Sequence, residues 1–225
     1  MTGPATVLFD LDLTLCASTQ DRDTLLSRTF DAVGVDQYCE PSDLGAVVGE
    51  VETAETEHEF YASIFAAAAD RAGVEDVPAD ALASAHADLV DHSAVEFCPG
   101  AERALEHART HAESVGLVTN GGEESQTTKL ESLGIADAFD TTVFVDPRNG
   151  VEPKPHPAPF ERALGALDAV PEATIHVGDS LRSDVAGANA MGIGSVWVPY
   201  DAASHDGNHD PSHQLDSLHE FETVF

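Results

Sequence analysis

Near its N-terminus the chain carries Val7-Leu8-Phe9, three apolar residues in unbroken succession, with Asp10 immediately after them. A run without apolar–polar alternation suits a strand covered on both faces. Residues 5–10 are therefore expected to form a buried strand with Asp10 at its C-terminal end. Asp12 and Thr14 follow at spacing two. In extended backbone, alternate residues face one side, so this stretch could aim two carboxylates and a hydroxyl at one point. Two carboxylates that close repel unless a cation lies between them or one keeps a proton. The stretch implies a bound divalent metal, a proton-shuttling acid, or both.

After this strand the pattern changes. Alanine and acidic residues dominate residues 20–93, and apolar positions recur at helical spacing. The spacing predicts helices from Asp21 to Val33, ended by Gly34, from Glu55 to Ala72, followed by Gly73, and from Pro78 to about His92. From Pro99 onward, strand-like and helix-like segments alternate, which argues for a parallel sheet with helices on its faces. The expected strands are 115–119, 141–145, 174–177 and 195–198, and the expected helices are 100–111, 123–133 and 157–167. A further helix, capped by Ser183 or Asp184, is expected to end before Gly192. The chain thus reads as a core of residues 1–17 and 94–225 interrupted by a helical insert at 18–93. The last fifteen or so residues read as a mobile loop and a short final helix.

In a parallel sheet, ligands sit beyond the carboxyl ends of the strands. The polar residues expected there are Asp10, Asp12 and Thr14, then Thr119, Asn120 and Gly121, then Asp179 with Asp184 five residues on. Lys154 lies between prolines in the segment EPKPHP. These residue types suit phosphoryl chemistry. Asp10 and Asp179 can share Mg²⁺, which takes one or two carboxylates together with phosphate and water. Thr119 and the N–H groups near Asn120 and Gly121 can hold phosphate oxygens at a helix N-terminus. Lys154, on a backbone restricted by proline, supplies fixed positive charge that stabilises the transition state. A carboxylate can attack phosphorus to form an aspartyl-phosphate. A second can protonate the leaving oxygen and later activate water. Taken singly, each motif also reads as a turn, a cap or a solvated loop; their joint occurrence at strand ends carries the reading.

DLDLT at 10–14, VTNG at 118–121, PKP at 153–155 and GDSLRSD at 178–184 resemble, in order, the four motifs of the haloacid dehalogenase superfamily. The helical insert resembles the cap of its subfamily I. The resemblance implies an α/β fold: a Rossmann-like parallel sheet with helices on both faces, strand order 5-4-1-2-3, and an α-helical cap domain inserted after the first strand. It implies that Asp10 is the nucleophile and a Mg²⁺ ligand, and that Asp12 is the general acid/base and a ligand through its backbone carbonyl. Leu11, Thr119, Asn120 and Lys154 would contact the phosphoryl group. Lys154 would also orient and neutralise Asp10. Asp179 would bind the metal, and Asp184 would hold the metal's waters or Lys154. The dehalogenase branch lacks an acid at the Asp12 position, so Asp12 argues for a phosphatase acting on a small phosphorylated metabolite such as a nucleotide, sugar phosphate or glycolate phosphate. A phosphomutase of the same superfamily and a non-catalytic phospho-accepting or regulatory protein are the alternatives. His58, Glu59 and Tyr61 in the insert could face the site or solvent.

The formal net charge is −31, from 41 acidic and 10 basic side chains, and Lys129 and Lys154 are the only lysines. Such a field repels nucleic acid and acidic membrane surfaces. No apolar run is long enough to span a bilayer, and strand-like sequence begins too early for a signal peptide, so a cytoplasmic location is expected. The sequence leaves monomer and dimer open. Cys16, Cys39 and Cys98 are scattered, form no CxxC pair, and are expected to be packed thiols. His205, His209 and His213 recur at spacing four, but Gly207 and Pro211 argue against a helix, so a solvated loop is expected. The acids are spread along the chain, so their repulsion burdens the whole fold. Salt screens it, with a Debye length of about 3 Å at 1 M. A salt-rich cytoplasm is therefore the expected setting. Thermal unfolding should move to higher temperature when KCl is raised from about 50 mM to about 2 M, because screening at high salt weakens this repulsion. Equal midpoints would refute this reading.

Overall fold

The computed structural model describes residues 3–51, 53–200 and 207–225. They fall into two compact units, Met1–Ser18 with Val95–Phe225, and Thr19–Ala94.

In the first unit the buried strand β1 (Thr6–Phe9) is followed by β2 (Cys16–Ser18), which pairs antiparallel with β3 (Val95–Phe97). This short ribbon was not legible in the sequence, since three residues a side show no period. After α5 (Ala101–His111), the strands β4 (Ser114–Val118), β5 (Thr141–Val143), β6 (Thr174–Gly178), β7 (Gly194–Trp197) and β8 (His213–Gln214) join β1 in one parallel sheet ordered β5-β4-β1-β6-β7-β8. Numbering the first five sheet strands in chain order turns this into 5-4-1-2-3 with β8 added at the edge.

Helices α6 (Glu123–Ser132), α7 (Ala158–Leu167) and α8 (Ala186–Ala190) complete the two faces. Successive strand residues point to opposite sides, and the core divides accordingly. Val7 and Phe9 pack with Leu105 and Ala108 of α5, Leu130 of α6, and Phe221. Leu8 packs with Phe160 and Leu164 of α7 and Ala188 of α8. Both faces of β1 are dry, which is why its sequence does not alternate.

The C-terminal segment departs from the expected mobile loop. β8 pairs with β7, and a 3₁₀ helix over Leu218–Val224 follows. Leu215, Leu218 and Phe221 recur at spacing three, and all are buried. The Phe9 and Phe221 rings meet at a tilt with centroids 5.5 Å apart, and Arg103 pairs with Glu222. His209 and His213 are exposed, His213 on a strand, and His205 lies outside the described residues.

The second unit holds α1 (Arg22–Val33), α2 (Pro41–Val47), α3 (Glu57–Ala72) and α4 (Ala79–Leu89). Asp21 Oδ1 accepts the Thr24 N–H at 2.8 Å, and Thr56 Oγ1 accepts the Glu59 N–H at 3.1 Å, so both long helices start on side-chain caps. Gly34 and Gly73 end them in left-handed conformation. The short α2, opened by Pro41, was not anticipated. Leu26, Phe30, Phe65, Ala68 and Leu82 form the unit's core.

His86 of α4 is half-buried in this unit, 4.6 Å from the Tyr61 ring and 5.7 Å from Phe65 by centroids, with Nδ1 3.2 Å from Thr29 Oγ1. Burial, and then His92, push its pKa down to about 4. The folded state thus refuses a proton that the unfolded chain accepts, so this group's contribution is lost as pH falls below about 6.5. Between pH 7 and 5, wild type should lose about 1–2 kcal/mol more unfolding free energy than His86→Phe. Urea unfolding at fixed KCl measures this, and equal losses in the two proteins would count against it.

Candidate active site

The sheet register gathers the site. Phe9 lies opposite Leu117 of β4 and Val177 of β6. Asp10, Thr119 and Asp179 therefore leave three neighbouring strands at one rim. Asp10 donates its N–H to the Val177 carbonyl at 2.9 Å, and its side chain is buried. Beyond Asp10 the chain does not stay extended. The N–H groups of Thr14, Leu15 and Cys16 all turn back to the Leu11 carbonyl, at 3.3, 2.9 and 3.0 Å. Leu13 takes a left-handed φ of 61°, uncommon for a residue with a side chain. The turn brings Thr14 Oγ1 within 3.4 Å of Asp10 Oδ2 but sends the Asp12 carboxylate to α6, so the three side chains do not converge as strand alternation predicts.

Lys154 stands at the centre of the rim with its side chain 1% exposed. Its Nζ donates to Asp10 Oδ1 at 2.6 Å, Asp184 Oδ1 at 2.7 Å and the Val118 carbonyl at 2.7 Å, which uses all three ammonium protons. Asn120 holds the Lys154 peptide from both ends: Oδ1 accepts the Lys154 N–H at 2.7 Å, and Nδ2 donates to its carbonyl at 3.2 Å. The Asn120 carboxamide is thus committed to Lys154, and what the residue can offer a phosphate is its backbone. Leu11 is fully buried, so it too can contribute only backbone.

Asp184 sits in a π-helical turn, Leu181–Val185, whose N-cap is Ser180 rather than Ser183 or Asp184; Ser180 Oγ accepts the Ser183 N–H at 3.0 Å. Asp184 is buried inside this turn. Besides Lys154, its Oδ1 faces His176 Nε2 at 2.9 Å, which must carry the proton to meet a carboxylate, and its Oδ2 accepts the Ser180 N–H at 3.1 Å. Gly178 makes room for it, since a Cβ there would lie 2.2 Å from Asp184 Cγ.

These partners give the two acids beside Lys154 opposite characters. Burial raises both, but for Asp184 the Lys154 charge and the His176 hydrogen bond outweigh it, and the carboxyl is held well below its usual range. For Asp10 burial wins: Lys154 opposes it, the Asp184 and Asp12 charges add to it, and the pKa reaches about 7. Burial disfavours the Lys154 ammonium, yet the two carboxylates hold it well above its ordinary value. One ammonium does not compensate both acids.

Asp10, Asp179 and Asp184 each offer a carboxylate oxygen, and these lie within 4.8 Å of one another. An all-oxygen set suits a hard divalent cation such as Mg²⁺. Because Asp184 is already engaged by three protein donors, Asp10 and Asp179 are the carboxylates placed to hold such an ion. The Asp179 carbonyl is anchored by Trp197 Nε1 at 2.6 Å.

Beyond β4, Thr119 Oγ1 accepts the Gly121 N–H at 3.2 Å, and Gly122 is the N-cap of α6, which has no side-chain cap. Asp12 pairs through Oδ1 with Lys129 Nζ at 2.7 Å and through Oδ2 with Gln126 Nε2 at 3.0 Å. Lys129, Gln126, His176, Ser180 and Trp197 join the rim although the sequence motifs do not point to them. The helical spacing of Gln126 and Lys129 just after TNGG was the one readable signal. The three cysteines are free and buried, and burial pushes the Cys16 thiol far above its ordinary range, as for a packed thiol.

A family model described as haloacid dehalogenase-like hydrolase matches residues 7–198. A glyceraldehyde 3-phosphate phosphatase of Pyrococcus furiosus is 37% identical over 102 residues, covering 45% of this chain and 42% of that protein. A ribulose-1,5-bisphosphate 5-phosphatase of Halopiger xanaduensis is 34% identical over 53% of this chain and 49% of its own length. The chain thus spans less than half the length of these curated relatives. A pyrophosphatase of Bacillus cereus is 29% identical over 82% of this chain and 79% of its own. Among solved structures, the HAD-hydrolase YfnB of Bacillus subtilis, bound to magnesium, superposes with a TM-score of 0.77 at 18% identity, covering 99% of this chain and 98% of that one. With four motifs on one sheet rim and a family match running from β1 to the end of β7, the chain belongs to the haloacid dehalogenase-like hydrolases.

Proposed function

We propose that the protein is a Mg²⁺-dependent phosphatase that hydrolyses a small phosphomonoester through an aspartyl-phosphate. The observation that carries the reading is the buried Asp10 carboxylate, held by Lys154 at 2.6 Å beside Asp179 and Thr119. That is a nucleophile fixed in place with cationic and hydrogen-bonding groups around it.

In the first step an Asp10 oxygen attacks phosphorus and the bond to the leaving oxygen breaks, with Asp12 delivering the proton that oxygen needs. In the second step water attacks the aspartyl-phosphate, Asp12 takes its proton, and the Asp10–phosphorus bond breaks to release orthophosphate. Lys154 neutralises Asp10 and the transferring group throughout, and Asp184 keeps Lys154 in place. Thr119 and the N–H groups of Leu11, Asn120 and the start of α6 bind phosphoryl oxygens. Mg²⁺, held by Asp10, Asp179 and the Asp12 carbonyl, would offset the charge of nucleophile and phosphate.

The relatives named for glyceraldehyde 3-phosphate, ribulose bisphosphate and pyrophosphate support a small phosphorylated substrate. The net charge of −31 favours a small anion over a nucleic acid. We assign the helical unit Thr19–Ala94 as the cap that selects the substrate, and a salt-rich cytoplasm as the setting.

Assayed at high KCl with p-nitrophenyl phosphate, sugar phosphates, nucleotides and phosphoglycolate, the protein should turn over with Mg²⁺ and stop with EDTA. Asp10→Asn should lower turnover by at least about 1,000-fold with the fold retained. Silence across the panel, or full activity in Asp10→Asn, would overturn the proposal.

A further inference from the structure

Asp12 does not stand alone on the rim. Gln126 and Lys129 are three residues apart on α6, so their side chains leave the helix on one face. Each takes one oxygen of Asp12, Lys129 at 2.7 Å and Gln126 at 3.0 Å. Two bonds from one rigid element fix both the position and the plane of the carboxylate. A carboxylate has about four lone-pair sites, so these two donors leave others for proton exchange.

Three further observations mark this as a built arrangement. Gln126 is 2% exposed and its Oε1 has no partner among the described residues. A buried amide oxygen left unpaired is costly, and the flipped amide would aim that oxygen at Asp12, so the carboxylate sets the orientation. Gly121 makes space for the same amide, because a Cβ there would lie 1.8 Å from Gln126 Nε2. The turn that follows Thr119 and the grip on Asp12 are therefore shaped together. Finally, the chain has two lysines among 41 acidic side chains, and both are spent on rim aspartates, Lys154 on Asp10 and Lys129 on Asp12.

We propose that Lys129 and Gln126 are the positioning residues of Asp12, fixing the direction in which its carboxylate meets the leaving-group oxygen. This rests on Asp12 being the proton carrier of the phosphatase reading. Loss of the grip then penalises substrates whose leaving oxygen must be protonated, and spares those that depart as stable anions.

The test compares kcat/KM, which covers leaving-group expulsion, for an alkyl phosphate and p-nitrophenyl phosphate. Lys129→Met should lower the alkyl value about 10–100-fold and the aryl value by less than about 3-fold. Lys129→Arg should restore most of the loss, and Lys129→Met should add nothing in an Asp12→Asn background. Equal losses for the two substrates, or a full further loss beside Asp12→Asn, would overturn the proposal by making Lys129 act without Asp12. A readout independent of turnover is available because ¹⁵N-lysine labelling yields two side-chain Nζ signals. Asp12→Asn should move the Lys129 signal and leave Lys154 in place. If neither moves, the grip is refuted whatever the activity. If wild type hydrolyses neither substrate, the phosphatase reading fails while the Nζ signals still decide the grip.

Discussion

One ammonium between two buried carboxylates holds the rim together. Lys154 joins the end of β1 through Asp10, the end of β4 through the Val118 carbonyl, and the turn after β6 through Asp184. Taking these charges out of water is expensive, and removing the lysine would leave two buried carboxylates uncompensated. The arrangement is deliberately unequal. His176 and the Ser180 N–H support Asp184 as an anion, whereas among the described residues the Asp10 carboxylate meets Lys154 and a distant hydroxyl of Thr14. Two identical side chains a few ångströms apart thus acquire different tasks from their surroundings. One serves to hold the lysine, and the other is the carboxylate proposed as the nucleophile.

Positive charge is also scarce at the scale of the molecule. With 41 acidic side chains against 10 basic ones, the surface repels both itself and any phosphorylated substrate. Salt shortens the reach of that field but acts weakly on buried pairs. The exposed acids are thereby screened while the buried Lys154 contacts persist. An excess of surface acid and a rim centred on Lys154 are compatible because water and salt reach one and not the other.

Much of this was readable from residue order. The dry strand at Val7–Phe9, the strand–helix alternation after Pro99 and the polar residues at strand ends follow from periodicity and from where parallel sheets bind ligands. What escaped reading had physical causes. β2, β3 and β8 are two or three residues long and show no period. The C-terminal segment hides its apolar positions, Leu215, Leu218 and Phe221, among polar neighbours. The path after Asp10 looked extended because DLDLT alternates, yet backbone bonds to the Leu11 carbonyl fold it into a turn and redirect Asp12. His176 reads as one residue of a hydrophobic strand until the turn carrying Asp184 folds back against it. Partners brought together across the sheet leave no local trace, which is why the four motifs could be seen and the residues that hold them could not.

The Asp10–Lys154 bond spans 144 positions of the chain. The whole helical unit is made after Asp10 and before the lysine that pairs with it. Closing so long a loop is slow relative to local helix formation. A nascent chain therefore carries Asp10 without its lysine until that later segment has been made. The rim cannot assemble before β1, β4 and β6 lie side by side, so the birth of the sheet's centre and the birth of the site are a single event.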